Sequence, residues 1–276
     1  VVAHCEDDAL IASRLAGVRE RFGDEIPYAM HPYIRSRGCC LKATRMAVEL
    51  ALHCGARLHV AHVSTREEVR LLAKYAEGSP AARPISGEAC LPHLFFSEGD
   101  YLRLGGLLKC NPAVKTEGDR LSLLWALEKG VLSTLGTDHA PHLKARKQGS
   151  YDNCASGISS VRYLLPALMT LISRGEISLK RALDAAGTAV AGRFRIIDRG
   201  ELREGYFADV VVFDPDDFTY TTYTKAAGSL PDQAPSPFTG LKLKGRVVHT
   251  IVSGNLVVED GQLCSSASGE MLRFAR

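Results

Sequence analysis

The sequence predicts an α/β fold in which βα units build a parallel sheet and a small β-rich segment follows. Two observations support this prediction. Over the first two thirds of the chain, short strand-like runs alternate with helical patterns, as they do in βα units. From Gly200 onward the helical patterns stop and β-type runs dominate. We therefore expect an α/β domain over residues 1–198 and a β-rich domain segment over residues 199–276.

The predicted parallel sheet has four short apolar strands. They are Val1–His4, Arg57–Val63, Pro84–Cys90 and Val131–Thr137. Ser64 and Thr65 follow the second strand and suit the N-cap of a helix over Arg66–Tyr75.

Three longer helical stretches accompany these strands, and each is followed by a glycine suited to a left-handed C-cap. The helices are Leu41–Cys54 before Gly55, Thr116–Lys129 before Gly130, and Ile158–Arg174 before Gly175.

The β-rich segment is predicted to hold three strands and one long loop. The strands are Ala208–Phe213, Arg246–Val252 and Asn255–Val258, with a turn at Ser253-Gly254 between the last two. The stretch Thr219–Pro237 is rich in Thr, Tyr, Ser and Pro and indicates a surface loop.

Composition describes an ordinary globular protein that acts on a small molecule. The chain has 276 residues, of which 46% are hydrophobic, which is enough for a sizeable core. Its net charge of +3 is spread along the chain, so no nucleic-acid or membrane surface is indicated. The eight cysteines form no CxxC pair, which favours reduced thiols and a cytoplasmic location.

Three of the four predicted strands end in a side chain that can bind a metal or carry a proton: His4, His62 and Asp138. The carboxyl ends of strands converge at one face of a βα barrel, so these residues are expected to meet there. Neutral imidazoles with a carboxylate suit Zn²⁺, which lowers the pKa of a bound water to about 7. A single histidine at a strand end more often has an ordinary core or surface role, and it is the convergence of three such residues that favours the metal site.

Strand alternation separates the two histidines of the second strand. If His62 faces the inside of the sheet, His59 should face the helices, so we interpret His59 as structural. The segment Gly136–His142 is the most informative part of the chain. Asp138 beside a metal could move a proton from water to a leaving nitrogen, and His142 would lie in a loop above the site. Asp138 could equally cap the next segment, and spacing alone does not decide between these interpretations.

Taken together, several segments resemble dihydroorotases, a family of the amidohydrolase superfamily. They are Ala3–Asp7, Ala61–Thr65, Cys110–Lys115, Asp119-Arg120 and Gly136–His142. Arg199–Leu202, Gly205, Ala208-Asp209 and Ser253-Gly254 resemble the β domain of the whole superfamily. His142 is the most specific of these matches, because related hydantoinases and allantoinases usually carry another residue there.

The resemblance implies an α/β fold that is the C-terminal half of a TIM-type (β/α)8 barrel, strands 5–8, with part of a small β domain. His4 and His62 would be ligands of one or two zinc ions, and Asp138 a zinc ligand and general acid/base. Asn111 and the backbone around Ser156-Gly157 would contact a dihydropyrimidine ring. His142 would bind the substrate carboxylate.

The implied activity is the interconversion of N-carbamoyl-L-aspartate and L-dihydroorotate in pyrimidine biosynthesis. Two alternatives are another cyclic amidohydrolase, such as a hydantoinase or allantoinase, and a catalytically silent scaffold protein. The chain lacks the family's His-x-His pair and zinc-bridging lysine, so we expect it to be inactive alone and to need the N-terminal half of the barrel as partner. A homo-oligomer is also expected. The loop Gln148–Gly157 could act as a lid or be a passive surface loop, and His31–Arg35 is interpreted as a solvated loop.

Overall fold

The computed structural model describes residues 1–221, 235–265 and 269–275, which form two four-stranded sheets. The first sheet contains β1 (Val2–Ala3), β2 (Leu58–Val60), β3 (Ile85–Cys90) and β4 (Thr134–Gly136). The second contains β5 (Val210–Tyr220), β6 (Lys242–Val252), β7 (Asn255–Glu259) and β8 (Gln262–Leu263). The α-helices of the described residues are α1 (Asp8–Phe22), α2 (His31–Ile34), α3 (Arg37–His53), α4 (Arg66–Ala73), α5 (Leu91–Phe95), α6 (Tyr101–Leu104), α7 (Glu117–Glu128), α8 (Leu164–Ser173), α9 (Leu179–Ala186) and α10 (Thr188–Phe194).

The first sheet is parallel and its strands are ordered as they occur in the chain, β1-β2-β3-β4. Ala3 pairs with Val60, and Val60 pairs with Gly87. The predicted α/β class and all four predicted strands are therefore confirmed. Across the described residues the sheet is open, with β1 and β4 at its edges, so these four strands do not close a barrel. Their carboxyl ends lie at one edge, where residues from distant parts of the chain meet.

The two sides of the sheet have different neighbours. Leu58, Val60 and Ile85 belong to the main apolar cluster with Val69 and Leu72 of α4. Because side chains alternate along a strand, His59 and Ser86 point to the opposite side, where their contacts differ. There Nδ1 of His59 lies 2.7 Å from Oγ of Ser86, and its Nε2 lies 3.3 Å from Oγ1 of Thr134.

His59 points away from α4, but its ring contacts Phe194 of α10 with centroids 5.3 Å apart, and its two hydrogen bonds support the predicted structural role. His62 reaches the same side of the sheet because it lies two residues beyond β2 with φ of 36°. Strand alternation no longer applies to a residue in that conformation.

The helices predicted over Arg66–Tyr75 and Thr116–Lys129 are confirmed as α4 and α7. Thr65 and Thr116 form capping boxes with the third helical residues, Glu68 and Asp119. The predicted helix from Leu41 is also confirmed, but α3 begins earlier, at Arg37.

The predicted helix from Ile158 begins only at Leu164. The backbone of Ile158 instead forms a bridge with His139, and its carbonyl accepts a hydrogen bond from the amide of Ala140. A backbone carbonyl used in this way cannot serve the first turn of a helix. This pairing could not be predicted from local patterns, because it joins residues 19 positions apart in the chain.

The second sheet is antiparallel, and its strand pairs confirm the predicted β-rich segment. Ser253 and Gly254 both have positive φ, as a two-residue hairpin turn between β6 and β7 requires. The predicted loop Thr219–Pro237 is wrong at its start, because β5 continues to Tyr220; residues 222–234 lie outside the described residues.

Helix α8 connects the two sheets, because the amide of Lys244 in β6 donates to Oγ1 of Thr170 at 2.8 Å. The boundary between residues 198 and 199 stays a prediction. None of the helices in the described residues is long and apolar enough to cross a membrane.

The segment His31–Arg35 is not the solvated loop that we expected. His31 is fully buried, with Nδ1 2.7 Å from the Tyr151 hydroxyl and Nε2 2.8 Å from the carbonyl of Cys110. Arg35 forms an ion pair with Glu6. The segment is therefore held in the protein interior by contacts with Tyr151, Cys110 and Glu6.

Candidate metal and substrate site

Two histidines meet at the carboxyl edge of the first sheet. His4 follows β1 and His62 follows β2, and the parallel register of these strands brings the two side chains together. Nδ1 of His4 lies 3.1 Å from Nε2 of His62, and the ring centroids are 4.8 Å apart. Residues 58 positions apart in the sequence thus form one imidazole pair.

A buried carboxylate fixes the proton on His4. Nε2 of His4 lies 3.0 Å from Oε2 of Glu6, whose side chain is only 1% exposed. Burial alone would raise the pKa of Glu6, but the hydrogen bond from His4 and the charge of Arg35 outweigh it and lower this pKa. The ionised Glu6 therefore accepts a hydrogen bond from Nε2–H of His4, which leaves Nδ1 of His4 as an acceptor directed at His62.

His62 is held as a neutral imidazole. Burial lowers its pKa, although the charges of Asp138 and Glu88 oppose this effect. Its Nδ1 is buried and has no hydrogen-bond partner among the described residues. A buried polar atom without a partner is costly, and a neutral imidazole is the form that binds a metal.

Two carboxyl groups complete the polar edge of the sheet. Glu88 lies in β3, where Oε1 is 3.4 Å from the amide of His62, and Asp138 follows β4 with φ of 48°. Burial raises the pKa of Asp138; the charge of His62 opposes this shift and that of Glu88 adds to it. A carboxyl group with a raised pKa exchanges a proton more readily near neutral pH.

Imidazole nitrogens and carboxylate oxygens are suitable ligands for a metal ion, and the two histidine nitrogens are also at a suitable distance from each other. Two nitrogens bound to one tetrahedral zinc at about 2.05 Å would lie roughly 3.3 Å apart, close to the separation of Nδ1 of His4 and Nε2 of His62. Within residues 1–221, 235–265 and 269–275, no three His, Cys, Asp or Glu side chains converge closely enough to form a ligand group. The structure therefore brings His4 and His62 together and leaves Asp138 as a charged neighbour.

The loop that carries His142 is tied to the segment before α8. The amide of Ala140 donates to the carbonyl of Ile158 at 3.0 Å, and the hydroxyl of Ser160 donates to the carbonyl of Thr137 at 2.7 Å. Nε2 of His142 lies 2.9 Å from the carbonyl of Ser156. Because a carbonyl can only accept, Nε2 carries the proton, and neutral His142 presents Nδ1 as an acceptor.

Gly157 allows these two segments to approach closely. Its φ is 140°, and an added Cβ would lie 2.6 Å from the carbonyl oxygen of Ala140 and 2.9 Å from Nε2 of His142. Its own amide donates to the carbonyl of Lys109, and its carbonyl accepts from Lys147. Both backbone groups of Gly157 thus have protein partners, and its contact with a substrate ring stays a prediction.

Two buried lysines hold the loop between residues 147 and 157. Nζ of Lys147 donates to the carbonyls of Lys109, Ala155 and Gly157 at 2.9–3.1 Å. Nζ of Lys109 donates to the carbonyls of Tyr151 and Cys154. The predicted lid segment is therefore fastened from beneath by two ammonium groups, which favours a fixed wall.

Asn111 lies at the same end of the molecule as Asp138. Burial and the charge of Asp138 raise the pKa of the preceding residue, Cys110, to about 12. Oδ1 of Asn111 is buried and has no hydrogen-bond partner among the described residues. It is available to accept a hydrogen bond from a ligand, which agrees with the role expected from the resemblance.

Sequence reasoning missed Glu6, Arg35 and Glu88. Glu88 could have been found, because it alternates with Ser86 on a strand and is a charge within a mostly buried run. Glu6 lies two residues after His4, where a charged residue in a buried position also gives a signal. Arg35 had no such signal, because its partner lies 29 positions away.

The Amidohydrolase family model matches residues 1–257 of this chain. The chain belongs to the amidohydrolase family. This amidohydrolase is 35% identical to the dihydroorotase of Anaplasma phagocytophilum (strain HZ) over 204 residues, which are 74% of this chain and 44% of the relative. It is 29% identical to the dihydroorotase of Aquifex aeolicus (strain VF5) over 269 residues, which are 94% of this chain and 58% of the relative.

Among solved structures, this amidohydrolase is similar to the L-hydantoinase (dihydropyrimidinase) from Arthrobacter aurescens. The TM-score is 0.85 at 25% identity, and the match covers 96% of this chain and 58% of the hydantoinase. The chain thus spans about half the length of the relatives that it matches.

Proposed function

We propose that this amidohydrolase is a zinc-dependent dihydroorotase that interconverts N-carbamoyl-L-aspartate and L-dihydroorotate in de novo pyrimidine biosynthesis. The observation that carries the proposal is the imidazole pair of His4 and His62 beside Asp138, in a chain similar to dihydroorotases. One or two zinc ions would be held here, with His4 binding through Nδ1. When bound, zinc polarises the amide carbonyl and lowers the pKa of the attacking water to about 7.

The protein's own groups then handle the proton and orient the ring. In the hydrolytic direction, Asp138 receives a proton from the attacking water and returns it to the leaving ring nitrogen. The buried amide oxygen of Asn111 accepts a hydrogen bond from the ring. His142, held through Nε2, presents Nδ1 to the substrate carboxylate, and it can donate to that carboxylate only when the ring is protonated.

The complete site needs more sheet than the four described strands supply. A (β/α)8 barrel has eight parallel strands, and the first sheet here has four in open order. We propose that these are strands 5–8 and that the partner of this chain is the N-terminal half of the barrel. The chain alone is then expected to be inactive. A cytoplasmic homo-oligomer stays a prediction.

A second candidate, a hydantoinase, is favoured by the similarity to the L-hydantoinase fold. The two candidates differ in whether the substrate carries a carboxylate next to the ring. A catalytically silent scaffold is less well supported, because His4 is held in the tautomer that a metal ligand needs.

Hydrolysis of L-dihydroorotate and of hydantoin by the zinc-loaded, full-length protein tests these candidates. We expect preference for dihydroorotate, and we expect His142→Ala to reduce its kcat/KM by about 10-fold or more while hydantoin hydrolysis changes little. His53→Ala, on the exposed end of α3, is the control. Equal losses for both substrates would contradict the carboxylate role, and preference for hydantoin would favour the second candidate.

A further inference from the structure

A cavity of about 380 Å³ lies beside His142, on the loop that carries this residue. Its walls include His139, Ser159, Arg162 and Tyr163. No carboxylate lines it among the residues that the structure describes. A concave surface with histidine, arginine and hydroxyl groups and without acids is suited to an anion.

His139 contributes a fixed hydrogen-bond donor to this cavity. Its Nδ1 accepts from the amide of Ser160 at 3.0 Å and from the amide of Val161 at 3.1 Å. Both bonds need a lone pair on Nδ1, so the neutral ring carries its proton on Nε2. That N–H has no protein partner in the described part of the chain and remains available to a ligand.

Arg162 contributes a permanent positive charge. It is exposed and forms no ion pair with any described residue, and its guanidinium carbon lies 5.4 Å from the ring centroid of Tyr163. Stacking on an aromatic ring restricts a guanidinium without using its N–H donors. These donors fit the two oxygens of a carboxylate or phosphate side by side.

We propose that this cavity is an anion-binding subsite in which Arg162 and Nε2–H of His139 recognise a carboxylate or a phosphate group. Nε2–H of His142 is used by the carbonyl of Ser156, so the donors that Arg162 and His139 offer to this cavity are separate from that group. The proposal rests on the proposed function only where the anion is the substrate carboxylate. Arg162 then determines the preference for anionic over neutral rings.

Two measurements on the full-length protein and its Arg162→Gln variant test the subsite. The first is KM and kcat for L-dihydroorotate and for dihydrouracil, which lacks the carboxylate. The second is the affinity for inorganic phosphate, measured by calorimetry without turnover, so that it stays informative if dihydroorotase activity is absent. Arg146→Gln is the control, because Arg146 is an exposed arginine in the short helix Lys144–Lys147 that follows His142.

A rise in KM of about 10-fold or more for dihydroorotate in Arg162→Gln, with kcat and dihydrouracil hydrolysis unchanged, supports recognition of the substrate carboxylate. Unchanged KM with phosphate affinity lowered by a similar factor supports a separate phosphorylated ligand. If Arg162→Gln and Arg146→Gln behave alike in both measurements, the subsite is excluded. If the unsubstituted protein has no activity but binds phosphate, the result contradicts the proposed function and leaves the anion subsite supported.

Discussion

At the scale of single residues, the site depends on which nitrogen of each histidine carries the proton. Glu6 accepts a hydrogen bond from Nε2–H of His4, and the carbonyl of Ser156 accepts one from Nε2–H of His142. Two backbone amides donate to Nδ1 of His139, which leaves its proton on Nε2. Each ring therefore presents one defined atom to the ligand. Supporting groups of this kind tune a metal or substrate site as much as the groups that touch the ligand.

Asp138 is expected to be the proton carrier of the reaction. In Asp138→Asn, the amide cannot take up a proton, and we expect turnover of dihydroorotate to fall by about 10²–10⁴-fold. The measurement is kcat at saturating substrate, with the zinc content determined on the same sample. Asp184→Asn, which removes only the ion pair with Lys180 in α9, is the control. Near-normal turnover with zinc still bound would remove Asp138 from the mechanism.

Gly157 is expected to be intolerant of a side chain because of crowding. In Gly157→Ala, the new Cβ would displace Ala140 and His142, so we expect KM for dihydroorotate to rise by about 10-fold. Gly149→Ala is a matched control, because Gly149 also has positive φ but its nearest neighbour would lie 3.9 Å from the Cβ. Both variants should lose about 1–3 kcal/mol from backbone strain. Equal changes in KM would show that crowding at Gly157 is unimportant.

At the scale of elements, the wall of the site consists of loops held together by buried cations. Segment 137–142 is paired with 156–161, and Lys109 and Lys147 fasten the loop between residues 147 and 157. Neither lysine forms an ion pair with any described residue, and their donors go to backbone carbonyls. Loops without a sheet or helix of their own satisfy their backbone in this way.

Lys147→Met is expected to loosen this loop. The substitution keeps the apolar stem and leaves buried carbonyls unsatisfied, at a cost of about 1–3 kcal/mol. We expect amide hydrogen exchange over residues 150–157 to accelerate by about 10-fold or more and the free energy of unfolding to fall. Lys144→Met is the control, because Lys144 is an exposed lysine in the same short 3-10 helix, Lys144–Lys147. Unchanged exchange would contradict the fastening role.

The effect of Lys147 should also depend on pH. Burial lowers its pKa from 10.5 to about 8, so between these values the unfolded chain binds more protons than the folded one. The contribution of Lys147 to the free energy of unfolding therefore rises with pH in this range. The difference in stability between the unsubstituted protein and Lys147→Met, measured by urea denaturation, should be larger at pH 9.5 than at pH 7.5. A smaller difference in stability at pH 9.5 would show that folding does not lower the pKa of Lys147.

The sequence was most informative where the signal was local. The four strands, the capping residue Thr65 and the turn at Ser253-Gly254 all depend on neighbours in the chain, and all were predicted. Thr116 was predicted as the first residue of its helix and is instead its N-cap. Helix α1 was missed although Ile11, Leu15, Val18 and Phe22 recur at helical spacing and pack in one apolar cluster, so this helix did have a local signal. The helix expected from Ile158 failed because a long-range pairing took its backbone.

In the candidate site, too, the residues with a local signal were predicted and the long-range contacts were not. His4, His62 and Asp138 could be predicted because each follows a strand, and parallel strands bring their ends together. The ion pair of Glu6 with Arg35 joins residues 29 positions apart and has no sequence signal. The expected separation of His59 and His62 on opposite sides failed because the positive φ of His62 breaks the alternation on which that prediction relied.

At the scale of the whole molecule, the site connects every strand of the first sheet. His4 follows β1, His62 follows β2, Glu88 belongs to β3 and Asp138 follows β4. A ligand that binds these groups therefore joins elements separated by more than 130 residues of chain. Binding at such a point stabilises the folded state as a whole, because the unfolded chain does not hold the groups together.

Removal of metal is accordingly expected to destabilise the entire sheet. At a free zinc concentration 100 times the Kd, binding stabilises the fold by about 2.7 kcal/mol, so a chelator should lower the Tm of the full-length protein by roughly 5 °C or more. His62→Ala removes one partner of the imidazole pair and should have a low Tm that zinc no longer raises. His53→Ala should keep the full zinc response, because His53 is exposed at the end of α3. If His62→Ala responds to zinc as strongly as the control, the metal binds elsewhere and the imidazole pair has another role.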